Sequence, residues 1–427
     1  MNTQQKTNYP AYLPWLICFC GMLFFFYEFI QMNIMNSLGT YLAKEFNMNA
    51  TQLGLLSAWY FYGNMLCVPM AGILLDRLST RWLMTGAMVI CSISVFMFSL
   101  SHNLYFSAAC RFLTGLEGAF CLVSAVRLAS RWFEPRRMAL MTGLAVMMAM
   151  FGGIVAQTPV TVLAQHIGWR QTLWVDVALG VVLTVLIAVF VRDYPPGEEA
   201  KQVEQRQALK GLGFWSAKKL VFGNLLNWFA ALFTCFLNLP VSLMGALWGN
   251  TYLQAAYHLS ATNASYVTSM VFLGTVLGSP AVGWISDKLG RRKLPMQVGA
   301  VLSLFIVLLV IFVPNMTTLE LAGLFLILGF VSSAQIISYP LVSELNPRFL
   351  TGTSVSIVSF TCIGGYAVFL PLFGRIMDWH WSGQMANGIR VYSMSDYQFA
   401  MWILPVTFVI AIVMTLFLKE SYCKYQD

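Results

Sequence analysis

The sequence predicts an all-α membrane protein of twelve transmembrane helices, arranged as two pseudo-symmetric six-helix bundles. Three observations carry this. Hydrophobic residues make up 58% of the 427 and charged residues only 10%, against about 25% charged in soluble domains, and the mean hydropathy is +0.70. The chain divides into twelve apolar runs, each near or above the roughly 20 residues that a spanning helix needs. One stretch also occurs twice. Gly72-Ile-Leu-Leu-Asp76-Arg77-Leu-Ser-Thr-Arg81 is echoed 211 residues later by Gly283-Trp-Ile-Ser-Asp287-Lys288-Leu-Gly-Arg-Arg292, with Gly63 answering Gly274 and Pro69 answering Pro280.

The runs cover residues 14–42, 52–75, 82–101, 104–131, 138–164, 171–191, 221–254, 262–285, 295–314, 318–343, 352–377 and 398–418. The first begins near Pro14 with no cleavable signal pattern before it and is read as a retained helix. The second carries Gly63 and Pro69 into the first basic loop, and the eighth repeats that layout. The fourth holds Arg111, Glu117 and Arg127, and the fifth holds Gly143 and the pair Gly152-Gly153. Pro195, Pro196 and Gly197 stop the sixth. Pro240 and Pro340 give the seventh and tenth a place to bend. Runs longer than a straight span are absorbed by tilt or interfacial ends. Residues 1–191 and 221–427 therefore read as two bundles joined by a charged cytoplasmic linker, 192–220, in which Phe214-Trp215 beside Lys218-Lys219 either lies at the lipid surface or belongs to a solvated tether.

Charge placement gives the orientation. With an even number of spans both termini share a side, and that side collects nineteen Lys and Arg residues against four on the other (Lys44, Arg170, Arg375 and Arg390). Basic loops face the cytoplasm, so both termini are expected there. The same bias accounts for the formal net charge of +8 without a nucleic-acid partner. Eight of the nine cysteines lie inside apolar runs, where they act as small hydrophobes rather than a disulfide framework. The four histidines are scattered without ligand spacing, so no metal site is expected, and no phosphate-binding Gly-x-x-x-x-Gly-Lys motif ties the chain to ATP. Neither an enzyme domain nor a cofactor is expected. Repeated bundles in a membrane are instead the architecture of secondary transporters, whose site lies between the repeats.

The two copies of the basic loop resemble the signature of the major facilitator superfamily, Gly-x-x-x-Asp-Arg/Lys-x-Gly-Arg-Arg, with Ser79 replacing its Gly in the first copy. Here Gly would allow close helix approach, and Asp76 or Asp287 would pair with basic groups or helix N-termini. Arg111-Phe-Leu-Thr114-Gly115-Leu-Glu117-Gly118-Ala119 is similar to the family's fourth-helix pattern, with Thr114 for Gln and Glu117 for Gly. Trp132-Phe-Glu-Pro-Arg136-Arg137 and Gly168-Trp169-Arg170 match its loops, while the Gly-Pro pair of antiporter members is missing from helix five. Phe26-Tyr27-Glu28-Phe29, Leu53-Gly-Leu-Leu-Ser57 and Asp378-Trp-His-Trp381 resemble a bacterial branch that contains phagosomal amino-acid and siderophore transporters and is related to lysosomal dipeptide transporters. Many branch members carry Arg on helix one where this chain has Met32. The resemblance implies a bacterial inner-membrane location and a central cavity lined by helices one, four, seven and ten.

An ionisable group at mid-membrane costs roughly 2.5 kcal/mol or more, so each one marks a candidate function. Glu28 and Glu117 fall about half-way along their helices at ~1.5 Å rise per residue. A desolvated carboxyl favours its neutral form, which makes these two the expected proton-coupling residues. Arg111 either clamps a substrate carboxylate through its bidentate fork or pairs with Glu28 or Glu117. Asp176 is expected to pair locally near the outer end, with Arg170. Tyr27, Gln31, Arg111, Asn238, Trp248, Gln335 and Tyr339 form the expected solute-binding set, Asn227 being a further polar candidate. Asp76, Arg77, Arg81, Arg127, Arg131, Asp287, Lys288 and Arg292 form the expected gate. The expectation is a monomeric proton symporter in a lipid bilayer, carrying an amino acid or small peptide. A siderophore or organic-acid carrier and a uniporter are the alternatives, and a non-translocating solute receptor is the competing class.

Overall fold

The computed structural model describes Pro10 and residues 12–133, 137–196, 221–346, 351–386 and 389–424, without the side chains at 72, 73, 76, 77, 138, 139 and 351–353. Lys6, Arg136, Arg348, the linker from residue 197 to 220 with Phe214-Trp215, and the side chains of Asp76 and Arg77 lie outside the described residues.

Every predicted run has a helical counterpart. In chain order these are α1 (Leu13–Glu45), α2 (Ala50–Arg77), α3 (Thr80–Leu100), α4 (Leu104–Trp132), α5 (Met138–Val155, continued by Thr158–Ile167) and α6 (Trp169–Phe190). The second six are α7 (Leu225–Leu237, then Pro240–Tyr257), α8 (Ala261–Leu289), α9 (Lys293–Phe312), α10 (Thr318–Glu344), α11 (Thr351–His380) and α12 (Met394–Phe417). Among the described residues ten helices are long and apolar enough to cross a membrane as they stand, and the bent α7 pair makes an eleventh; α2, 28 residues long, fills the second predicted run. A two-stranded hairpin, Met385–Ala386 with Ile389–Arg390, lies between α11 and α12 and has no counterpart in the sequence reading.

The breaks have local causes. α4 interrupts its hydrogen bonding at Leu116-Glu117, between Gly115 and Gly118. α5 breaks at Ala156-Gln157, just before Pro159. α7 bends by 41° at Asn238-Leu239 and continues as a π-helix over Pro240–Trp248. In α10 a 3₁₀ segment, Ser333–Ile337, precedes Pro340, which has no N–H to offer the carbonyl of Ile336. Pro240 and Pro340 thus mark the irregular segments of the two helices expected to bend.

Within the first half α1 packs on α5 and α6, α2 on α4, and α3 on α6; within the second, α8 packs on α10, α9 on α12 and α7 on α11. The halves meet where α2 crosses α11, α5 crosses α8 and α1 meets α7.

The internal repeat is written in close contacts. A methyl on Gly63 would stand 2.1 Å from the carbonyl oxygen of Phe112, and one on Gly274 would stand 2.0 Å from that of Leu326. From the facing helices, a methyl on Gly115 would meet the Tyr60 carbonyl at 1.8 Å and one on Gly329 the Val271 carbonyl at 2.1 Å. Both crossings, α2 with α4 and α8 with α10, therefore require glycine on both sides. The loops repeat too. Asn47 and His258 end α1 and α7 with φ of 49° and 54°, and Asn49 and Ser260 cap the helices that follow. Asp193 accepts the backbone N–H of Arg81 at 2.9 Å, and Glu420 accepts that of Arg292 at 2.7 Å.

One expected role for glycine is corrected. Among the described residues nothing lies within 4 Å of a methyl on Gly283, so this signature glycine makes no close helix contact with them.

Candidate functional site

Five of the sequence-selected residues come together inside the first half. Glu28 and Gln31 lie one turn apart on α1, beside Tyr27, and face Arg111 and Glu117 of α4; all five are buried. The Tyr60 hydroxyl donates to Glu28 Oε1 at 2.5 Å. Arg111 Nη1 donates to the Gln31 carbonyl at 3.0 Å, with its guanidinium carbon 5.0 Å from the centre of the Tyr60 ring. Arg111 thus hydrogen-bonds neither Glu28 nor Glu117. The Cys91 thiol donates to Glu117 Oε1 at 2.9 Å.

Asp176 corrects the sequence reading. It is 7% exposed and accepts the Gln31 side-chain amide at 2.6 Å, while the Tyr27 hydroxyl donates to its backbone carbonyl at 3.3 Å. Arg170 instead pairs with Glu45 at 2.8 Å and donates to backbone carbonyls of Ser99 and Ser101. Six residues on a helix turn ~600°, which leaves Arg170 and Asp176 about 120° apart. That spacing was the available signal. Tyr60 and Cys91 are the members that sequence reasoning missed, and Asp176 the one it assigned to another partner.

Several polar atoms here make no hydrogen bond among the described residues: Glu28 Oε2, Glu117 Oε2, Asp176 Oδ1, and Nε and Nη2 of Arg111. Groups this deeply buried are normally satisfied. Unspent donors on a guanidinium beside unspent carboxyl oxygens can take up a polar solute or protons.

A second polar group lies in the other half. The Asn238 amide donates to the Tyr366 hydroxyl at 2.5 Å and to Cys362 Sγ at 3.3 Å. The Thr234 hydroxyl donates to the Gln335 carbonyl at 3.1 Å, and Gln335 Oε1 has no partner among the described residues. Tyr339 is half-buried one turn along α10. The two groups are joined by a chain of rings: Tyr60 meets Phe61 edge-on at 5.2 Å, and Phe61 meets Tyr366 edge-on at 5.2 Å across the boundary between halves. Tyr366 was not selected from the sequence.

Two selected residues do not join this centre. Trp248 lies ten residues beyond Asn238, at the far end of the π-helical stretch, with its ring stacked on Phe373 and its N–H donated to the Leu370 carbonyl at 3.2 Å. It is one of the residues lining a separate 560 Å³ pocket that includes Lys44 and Arg390. Asn227 exchanges amide hydrogen bonds with Asn346 at 3.2 and 2.7 Å.

At the end of the bundle where α1 passes into α2, a seam of hydrogen bonds ties the halves together. Asn36 donates to Gln157 at 2.8 Å and to the Met244 carbonyl at 3.0 Å. Gln157 donates to the Gly245 carbonyl at 2.7 Å, and Thr268 donates to Gln157 at 3.1 Å. Asp378 accepts the N–H of Thr51 at 2.9 Å and the Tyr392 hydroxyl at 2.5 Å, and Tyr392 accepts from Ala50. The hydroxyl of Tyr392 is held above its usual range, first by burial and then by this bond to Asp378.

At the opposite end Arg81, Arg131, Asp287, Lys288 and Arg292 make contacts within their own halves. Arg131 donates to Thr80 and the Asp193 carbonyl and stacks on Tyr194. Arg81 donates to the Ala188 carbonyl. Arg127 lies half-buried on α4 and Lys288 covers the Trp284 ring. Arg292 pairs with Asp287 at 2.6 Å and with Glu344 at 2.7 Å. Burial works against its charge, but the hydrogen bonds to Glu344 and Asp287 outweigh it and raise the guanidinium above its usual range. Glu344 was missed because it sits at the end of an apolar run.

Comparison with known proteins agrees with this geometry. The family model described as Major Facilitator Superfamily matches residues 17–252 and 234–423. The chain is 24% identical over 355 residues to the membrane sensor protein UhpC of Escherichia coli (strain K12), covering 79% of this chain and 80% of that one. It is 23% identical over 391 residues to the lysosomal dipeptide transporter MFSD1 of Mus musculus, covering 85% and 79%. A crystal structure of a D-xylose-proton symporter superposes with a TM-score of 0.77 at 14% identity, covering 97% of this chain and all of that one.

Proposed function

The chain belongs to the Major Facilitator Superfamily, whose members transport small solutes across membranes, and from that premise we propose that it is a proton symporter for an amino acid or small peptide. The observation that carries this reading is the buried centre of the first half. It gathers in one buried cluster two carboxyls, Glu28 and Glu117, and a guanidinium, Arg111, with oxygens and donors that are unbonded among the described residues. Glu28 and Glu117 bind the protons. Arg111 takes the carboxylate of the solute, and Asn238, Gln335, Tyr339 and Tyr366 meet its other polar groups from across the cavity. Similarity to a dipeptide transporter supports the choice of cargo; a siderophore or organic acid is the second choice for the same arginine.

Residues 1–191 and 221–427 are the two rocking bodies, joined by the linker 192–220. The basic side of the sequence faces the cytoplasm, in the inner membrane of a bacterium, and the hydrogen-bonded seam at Asn36 then closes the outer face. The protein works as a monomer, because one chain supplies both halves of the cavity.

Similarity to a membrane sensor protein favours a second reading, a receptor that binds solute without moving it. Proteoliposomes loaded with a pH gradient separate the two. A symporter accumulates labelled amino acids or dipeptides only while the gradient lasts. A receptor binds and accumulates nothing, and a uniporter ignores the gradient.

A further inference from the structure

Three carboxyls, not two, share the pocket around Arg111. Gln31 joins Arg111 to Asp176, accepting at its carbonyl and donating from its amide at 2.6 Å. Tyr60 joins Arg111 to Glu28, with its ring beneath the guanidinium and its hydroxyl 2.5 Å from the carboxyl. A methyl on Gly118, the residue after Glu117, would stand 2.9 Å from Glu28 Oε1. Tyr27 closes the circuit, because a methyl on Gly180 would touch both its hydroxyl at 2.5 Å and the hydroxyl of Ser92 at 2.7 Å, next to the Cys91 that binds Glu117. The ionisable and polar groups facing this pocket are Tyr27, Glu28 and Gln31 on α1, Tyr60 and Asn64 on α2, Cys91 and Ser92 on α3, Arg111, Glu117 and Cys121 on α4, and Asp176 on α6. Arg111 is the one guanidinium among them.

Charge decides what such a pocket can hold. Three carboxylates against one guanidinium would leave two uncompensated negative charges inside the bilayer, each costing several kcal/mol. The donors are unequal. Asp176 accepts a short amide hydrogen bond from the residue whose carbonyl holds Arg111. An amide N–H can only donate, whereas the Tyr60 hydroxyl beside Glu28 and the Cys91 thiol beside Glu117 can also accept the proton of a neutral carboxyl. We infer that Asp176 is the standing anion that balances Arg111, and that Glu28 and Glu117 each carry a proton while the pocket is closed. The carrier therefore stores two protons, and Asp176 sets that number without being protonated itself.

This deepens the symport reading and rests on it only for the protons' use, because the stored protons can be counted without any solute. Infrared difference spectroscopy on the full-length protein in lipid nanodiscs at neutral pH, with ¹³C placed on glutamate or aspartate carboxyls in turn, counts the protonated groups of each kind. Each signal is assigned by its loss in E28Q, E117Q or D176N. We expect two protonated glutamates in this pocket and no protonated Asp176. D176N, which removes an unprotonated residue, is expected to cost one of the two glutamate protons, since one glutamate must then ionise to balance Arg111. A protonated Asp176 in the unsubstituted protein, or any glutamate count other than two, overturns the inference, as does a D176N protein that keeps both. The unsubstituted protein alone decides the count if D176N fails to fold. Two protonated glutamates in a protein that shows no proton-driven uptake would leave this assignment standing and end the symport reading instead.

Discussion

Asn250 donates its backbone N–H to the side chain of Asn36 and its side-chain amide to the Asn36 backbone carbonyl, each at 3.1 Å. The two residues belong to different halves and both are buried. Any motion that opens this end of the bundle must break this pair together with the bonds through Gln157 and Thr268. Removing one partner of a buried hydrogen bond costs about 1–3 kcal/mol, so this small seam can set the balance between open and shut.

The first prediction follows from that pair. N250A should shift the balance toward an outer-open form by roughly tenfold, since about 1.4 kcal/mol corresponds to a factor of ten. A reporter cysteine at Ser269, in a protein stripped of other reactive thiols, should react with an impermeant maleimide correspondingly faster in N250A than in the parent. An unchanged labelling rate would mean that the seam does not hold the outer end.

A second prediction concerns the helix crossings. G115A puts a methyl 1.8 Å from the Tyr60 carbonyl and G329A puts one 2.1 Å from that of Val271, so each should lower stability by about 1–3 kcal/mol through overpacking. G86A, where nothing lies within 4 Å, should leave the melting temperature in mild detergent unchanged. Equal melting temperatures for all three would remove the crossings as a structural requirement.

The buried pair of Arg292 and Glu344 gives a third. Removing Arg292 leaves the buried Glu344 uncompensated, typically at a cost of about 3–5 kcal/mol, and removing Glu344 leaves Arg292 only the exposed Asp287. R292M and E344L should each lower the melting temperature, and the double variant should recover most of the loss. A double variant no better than the singles would show that the pair acts through something other than its mutual charge.

A fourth tests the roles of the two glutamates. E28Q and E117Q imitate the protonated state permanently, so each should abolish gradient-driven accumulation while leaving exchange of labelled for unlabelled solute at a substantial fraction of the parent rate. Loss of exchange as well would place the residue in solute binding rather than proton coupling.

Much of this was legible in the sequence. Apolar runs and basic loops located the helices because the bilayer leaves the backbone few alternatives. The 211-residue repeat located the matched crossings, since Gly63 and Gly274 had already been paired. Glu28 and Glu117 stood out because a carboxyl in an apolar run has no bland surroundings to hide in. Asp176 was misread because position along a helix was weighed without its rotation. Asn36, Gln157 and Asn250 passed unnoticed because an amide at a helix boundary shows its value only once the partner helix is in place. Tyr60 and Tyr366 were hidden for a related reason, since aromatic residues are common in spans and only a hydroxyl's partner separates a functional one from packing.

The central claim is that the halves rock as two bodies about the buried polar centre. Spin-label distances measured across both ends of one protein test it most directly. One pair, at Gln165 and Thr262, spans the outer seam, where these side chains are hydrogen-bonded at 3.1 Å. The other, at Ser130 and Lys288, spans the opposite end. In N250A the account expects a population with a longer outer distance and, in the same molecules, a shorter distance at the other end. An outer distance that lengthens while the other stays fixed would mean local fraying of the seam, and would contradict alternating access.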